Sequence, residues 1–117
     1  MPKTILIVDD NVELAESLKD TLTSEGFIAR IATDSAKALD LAASTTPDVA
    51  IVDIELPVMD GYELAEHLRA LPQMDHCLLI AVTGYSQAHD ERQSRDSGFR
   101  HHLVKPVDIG QLLTLLG

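Results

Sequence analysis

Tryptophan is absent from the 117 residues, and two Tyr and two Phe bring the aromatic content to only 3%. A core built from this chain is therefore aliphatic, drawn from Val, Leu, Ile and Ala. Basic residues are also scarce. Nine Lys+Arg against nineteen Asp+Glu leave a formal charge of −10, and an acidic surface repels phosphate backbones, which argues against direct nucleic-acid binding. The single cysteine, Cys77, has no partner for an internal disulfide, as expected in a reducing cytoplasm. Long hydrophobic runs are missing too: none approaches the roughly 18–20 residues that span a bilayer, so no membrane contact is expected. The start, Met1-Pro2-Lys3-Thr4, leads straight into a strand-like segment and lacks a signal-peptide layout. What is present, 45% hydrophobic and 24% charged residues, excludes a disordered chain and suits one domain over 1–117.

The apolar residues fall into two alternating kinds of segment. Thr4–Val8, Phe27–Ala32, Val49–Val52, Leu78–Val82 and Leu103–Val104 are short aliphatic runs without polar alternation, the pattern of strands covered on both faces. Longer amphipathic stretches lie between them. Asn11–Glu25 carries Val12, Ala15, Leu18 and Leu22 at helical spacing, with Gly26 as its stop. Ser35–Ser44 follows with Ala36, Leu39, Ala42 and Ala43, capped by Asp34 or Ser35. Gly61–Leu71 presents Leu64, Leu68 and Leu71 before Pro72; Ser86–Ser97 is polar with Gly98 behind it; Asp108–Leu116 opens on a capping aspartate. Strict alternation of this kind predicts an α/β domain, doubly wound as (βα)5, with helices on both faces of a parallel sheet and right-handed crossovers.

In such a sheet every strand's carboxyl end lies on one edge, and ligands bind there. The first run ends in Asp9-Asp10, the third in Asp53, the fourth in Thr83 and the last in Lys105. Singly, each has an ordinary structural reading: a helix cap for Asp9 or Asp10, a turn for Asp53 or Thr83, a surface lysine for Lys105. Together they set three carboxylates, a hydroxyl and an ammonium on one edge. Crowded carboxylates either rise in pKa or share a cation, and hard oxygen donors suit Mg²⁺. A screened Asp53 is then a nucleophile toward phosphorus, forming an aspartyl phosphate, with Thr83 and Lys105 sharing the charge on the phosphoryl oxygens.

Four segments, Ile5-Leu6-Ile7-Val8-Asp9-Asp10, Val52 to Gly61, Ala81-Val82-Thr83-Gly84 and Leu103-Val104-Lys105-Pro106, make the chain resemble a response-regulator receiver domain of two-component signalling over essentially its whole length. The resemblance implies a flavodoxin-like three-layer sandwich with strand order 2-1-3-4-5. It implies that Asp53 is the phosphoacceptor, taking phosphate from a histidine kinase or histidine phosphotransfer domain. Asp10 would ligate Mg²⁺ directly and Asp9 mainly through water, with Asp53 and the backbone carbonyl of Glu55 completing the metal set. Thr83 would bond the phosphoryl oxygen and draw its loop inward, Lys105 would pair with the phosphate, and the Lys105-Pro106 bond would be cis. No activity beyond self-phosphorylation and slow self-dephosphorylation is implied. The surface formed by 86–97, the fifth strand and the last helix is the candidate face for partners or a homodimer.

The pattern departs from the commonest receivers at two positions. His102 stands where receivers carry a Tyr or Phe that turns inward as a switch; imidazole is smaller, polar and titratable, which moves weight onto Thr83. The run His102-Leu103-Val104-Lys105-Pro106 looks most like receivers attached to hybrid histidine kinases. Glu55, two residues past the acceptor, reaches toward the phosphoryl site. The other titratable residues have simpler readings. His101 and His102 point to opposite faces of a strand, Cys77 is a buried thiol beside His76, and His67, His89 and the run His89-Asp90-Glu91-Arg92 face solvent. Two further functions compete. A small Mg²⁺-dependent phosphatase would use Asp53 as nucleophile and Glu55 as its second carboxylate, but the chain shows no substrate-binding cap. A pure interaction module would not need the complete acidic set.

Overall fold

Alternate residues of each aliphatic run pack against opposite sides of one sheet. The computed structural model describes residues 2–84 and 96–117. Its strands are β1 (Thr4–Val8), β2 (Ile28–Ala32), β3 (Val49–Asp53), β4 (Leu78–Thr83) and β5 (His101–Val104), all parallel, in the order β2-β1-β3-β4-β5. The helices among the described residues are α1 (Val12–Ser24), α2 (Ser35–Thr45), α3 (Gly61–Arg69) and α4 (Ile109–Leu116). The flavodoxin-like order read from the resemblance is the one observed. Of the helix expected over 86–97, residues 86–95 lie outside the described residues.

Leu6, Val8, Ala50, Val52, Leu79 and Ala81 face α2 and α3, meeting Ala38, Ala42, Leu64, Ala65 and Leu68. Ile5, Ile7, Val49, Ile51, Ile80 and Val82 face the other way, meeting Ala15 and Leu22 of α1 and Leu112 and Leu116 of α4. The sheet is thus apolar on both surfaces, which is why its strands show no polar alternation. Each fully buried Leu or Ile contributes about 1.5–3 kcal/mol. The few aromatics are used sparingly, as in the edge-to-face pair Tyr62 and Phe99, with centroids 6.4 Å apart.

Helix starts follow the capping rules. Asn11, Asp34, Asp60 and Asp108 each accept a backbone N–H three residues on. Gly26, with φ +96°, ends α1 in the left-handed conformation glycine tolerates. Four expectations need correction. Ala36 and Ala43 are exposed, and the apolar face of α2 is set by Ala38 and Ala42. Val12 is 53% exposed, not part of the apolar face of α1, which is set by Ala15 and Leu22. α3 stops at Arg69 and not at Leu71, because Pro72 opens a separate 3₁₀ turn over Pro72–Met74 and holds Leu71 extended. β5 begins at His101, two residues before the aliphatic pair, since its ladder to β4 starts at Ile80↔His101.

Candidate functional site

The chain order reverses across the sheet between β1 and β3, and a crevice opens there at the carboxyl edge. Asp9 follows β1 directly, and its N–H continues the ladder to Ala32 O at 3.1 Å. Asp53 is the last residue of β3, opposite Val82 of β4. Thr83 ends β4, and its carbonyl accepts the Lys105 N–H at 2.8 Å, which fixes the lysine backbone beside it. Four adjacent strands therefore deliver Asp9, Asp10, Asp53, Thr83 and Lys105 to one place.

Carboxylate oxygens of Asp9, Asp10 and Asp53 all lie within 4.8 Å of one another. Helix capping does not consume the first two, because Asn11 caps α1. Asp9 Oδ1 accepts the Asn11 N–H at 2.9 Å. Asp53 is only 3% exposed, and both its oxygens are held: Oδ1 accepts the Glu55 N–H at 2.9 Å and Oδ2 accepts from Lys105 Nζ at 3.1 Å. Lys105 Nζ is also 3.9 Å from Asp9 Oδ2. A cavity of about 560 Å³ lined by Asp9, Asp10, Asn11, Asp53, Glu55 and Lys105 opens over this group.

Burial pushes the Asp9 carboxyl above its ordinary range; the Asn11 N–H opposes this and the Asp53 charge adds to it. Burial alone would lower Lys105. Its hydrogen bond to Asp53 and the charges of Asp53, Asp9 and Glu55 outweigh that and leave it raised. The donor set is all oxygen, anionic and open to solvent on the Asp10 side, and one ammonium only partly balances three carboxylates. That chemistry fits a hard divalent cation that keeps several waters, such as Mg²⁺.

Gly61 and Gly84 shape the crevice in ways that residue spacing alone does not reveal. A Cβ on Gly61 would fall 2.7 Å from the Asp53 carbonyl oxygen and 2.7 Å from Ile54 Cα, and Gly61 N–H closes the turn onto Ile54 O at 3.0 Å. The Asp60-Gly61 pair was the visible signal for that turn. The Gly84 N–H donates to Glu55 Oε1 at 2.7 Å and lies 3.2 Å from Oε2, while the Thr83 hydroxyl, 1% exposed, donates to Oε1 at 3.3 Å.

The remaining residues lie apart from the crevice. His102 sits in β5 opposite Ala81, with both ring nitrogens buried and without a hydrogen-bond partner among the described residues. Cys77 is buried, and burial pushes its thiol up to about 11, as for an inert core cysteine. His67 is exposed. His89 and its charged neighbours lie outside the described residues. The Lys105-Pro106 peptide is cis.

A family model described as the response regulator receiver domain matches residues 5–117. The polar-differentiation response regulator DivK of Brucella anthropi is 30% identical over 113 residues, covering 97% of this chain and 92% of that protein. Among solved structures, a CheY-like response regulator receiver domain protein from Methanospirillum hungatei superposes with a TM-score of 0.91 at 33% identity, over 99% of this chain and 91% of that one. A response regulator protein from Burkholderia pseudomallei, determined with a phosphorylated aspartic acid, a calcium ion and citrate, gives a TM-score of 0.90 at 27% identity, over 98% of this chain and 66% of that one.

Proposed function

The chain belongs to the response-regulator receiver domain family, and from that premise we propose that Asp53 accepts a phosphoryl group from a phosphohistidine, with Asp9, Asp10, Asp53 and the Glu55 backbone carbonyl holding Mg²⁺. The observation that carries this reading is the meeting of three carboxylates within 4.8 Å and an ammonium 3.1 Å from Asp53 at one strand edge. When bound, Mg²⁺ supplies charge neutralisation at the carboxylates and at the phosphoryl oxygens. The Burkholderia structure, with its phosphorylated aspartic acid and a divalent ion, supports the same assignment here.

The chain's own groups then divide the work. The Glu55 N–H and the Lys105 ammonium fix the plane of the Asp53 carboxylate. An Asp53 oxygen forms the new P–O bond as the donor's P–N bond breaks, and the departing imidazole nitrogen keeps that electron pair. Lys105 stays paired with the charge on the transferring group, and the Thr83 hydroxyl is the neutral donor at its rim. Movement of the Thr83 loop, with His102 on the neighbouring strand β5, is the proposed switch. Glu55 gives its carboxylate to Thr83 and Gly84, which leaves it poorly placed for the acid–base role a phosphatase would ask of it.

The unit proposed is residues 1–117, a cytoplasmic phosphorelay component working with a histidine kinase or histidine phosphotransfer domain, or part of a hybrid histidine kinase. Its −10 charge opposes nucleic-acid contact, and no helix of the described residues is long and apolar enough to cross a membrane. Self-association would use the face formed by 86–97, β5 and α4. Incubating the protein with Mg²⁺ and a small phosphodonor is expected to add one acid-labile phosphoryl group, lost in Asp53→Asn. Undiminished labelling of Asp53→Asn refutes the assignment.

A further inference from the structure

We propose that the Glu55 side chain is a latch on the phosphoryl site: in the resting chain its carboxylate occupies the Thr83 hydroxyl and the Gly84 N–H, the donors that a phosphoryl group on Asp53 must capture. The inference rests on Asp53 being the phosphoacceptor and adds a positioning residue to that reading.

Three observations carry it. First, Glu55 is exposed yet does not trail into water. Its carboxylate lies on the end of β4, with Oε1 2.7 Å from Gly84 N and 3.3 Å from Thr83 Oγ1. A long side chain gives up rotamer freedom to hold such a position, so the contact has to be worth that loss. Charge-assisted bonds to N–H and O–H donors are of that strength.

Second, the latch is anchored to the acceptor. Glu55 N–H donates to Asp53 Oδ1 at 2.9 Å, so one residue binds the acceptor through its backbone and the β4 loop through its side chain. The open face of Gly84 receives the carboxylate: a Cβ there would stand 3.1 Å from Glu55 Oε1. Third, Glu55 lines the same cavity as Asp53 and Lys105, and its charge is felt at the Lys105 ammonium. An anion is already present where the phosphoryl oxygens arrive.

A phosphoryl group brings a charge of about −1.5 to −2 and three acceptor oxygens. It repels the Glu55 carboxylate and competes with it for the Thr83 and Gly84 donors. The two anions exclude one another, so phosphorylation and release of Glu55 are one event. The Thr83-Gly84 loop passes from Glu55 to the phosphoryl group, and Glu55 swings into solvent. The resting contact thereby sets the threshold that phosphorylation has to overcome.

Beryllofluoride, a tetrahedral stand-in for the phosphoryl group, tests this when titrated with saturating Mg²⁺ into wild type, Glu55→Gln and Glu55→Ala. Removing the competing charge is expected to tighten binding about tenfold in both variants. In Mg²⁺-free protein without beryllofluoride, the Gly84 amide proton resonance is expected to move upfield in both, a change that a merely structural role for Glu55 does not produce. Glu55→Gln keeps the size of the side chain, which separates charge from packing. Unchanged or weaker binding in either variant, or an unmoved Gly84 resonance, overturns the latch. Failure of wild type to bind beryllofluoride any better than Asp53→Asn overturns the phosphoacceptor reading itself, and is distinguishable because it does not depend on Glu55.

Discussion

Lys105 and Asp53, 52 positions apart in the chain, meet at 3.1 Å through the ammonium and Oδ2. The pair is unequal: the lysine side chain keeps 29% of its exposure and the aspartate side chain only 4%. Asp53 therefore depends on its partner far more than Lys105 does.

Lys105→Met is expected to lower stability at pH 7 by about 1–2 kcal/mol, since it leaves a nearly buried carboxylate without its cation. Burial would lower Lys105, but the hydrogen bond and charge of Asp53, with Asp9 and Glu55, hold it above its ordinary value. A raised lysine stabilises fully below its unfolded pKa and loses that contribution as pH rises through the folded one. Urea unfolding of both proteins should show the difference shrinking in strong alkali. A difference that persists there contradicts the pairing.

Asp9 gives a pH dependence of the same sign in a lower pH range. Burial, and the neighbouring Asp53 charge, raise its carboxyl, so the folded chain binds that proton more tightly than the unfolded one. Without divalent ions, this carboxyl makes stability decline as pH climbs from the ordinary aspartate range through the raised folded value. Mg²⁺ should reverse the loss, adding about 2.7 kcal/mol at a hundredfold excess over its Kd. Thermal unfolding with and without Mg²⁺ checks both effects, and Asp9→Asn should blunt both. A full Mg²⁺ response in that variant rules out Asp9 as part of the site.

Gly61→Ala is expected to cost about 2 kcal/mol, because the new methyl meets two backbone atoms of the Asp53-Ile54 peptide at 2.7 Å and neither is the end of a flexible side chain. Since one contact is the Asp53 carbonyl oxygen, the displaced strand end should also bind Mg²⁺ more weakly. Urea midpoints and a Mg²⁺ titration report the two consequences. Unperturbed values in both would show that the turn after Asp53 yields freely.

The strand ends were readable because each aliphatic run stops abruptly at a residue of different chemistry: Val8 before Asp9, Val52 before Asp53, Val82 before Thr83, Val104 before Lys105. Period and termination are local properties, and a parallel sheet turns them into adjacency. Other features depend on tertiary placement. The exposure of Val12 depends on which way α1 rolls over the sheet, and the imidazoles of His101 and His102 conceal two residues of strand. The sequence reading brought Glu55 to the phosphoryl site but left its bonding partners open. They follow from how closely the ends of β3 and β4 approach, which residue spacing does not encode.

The two apolar clusters on either side of the sheet make the strands a partition with separate tenants. The buried side chains of the two walls fall into separate clusters, so substitutions well apart on opposite sides are expected to add. A lineage is free to remodel the wall behind α1 and α4 while the α2 and α3 wall stays as it was, and the crevice at the shared rim survives either change.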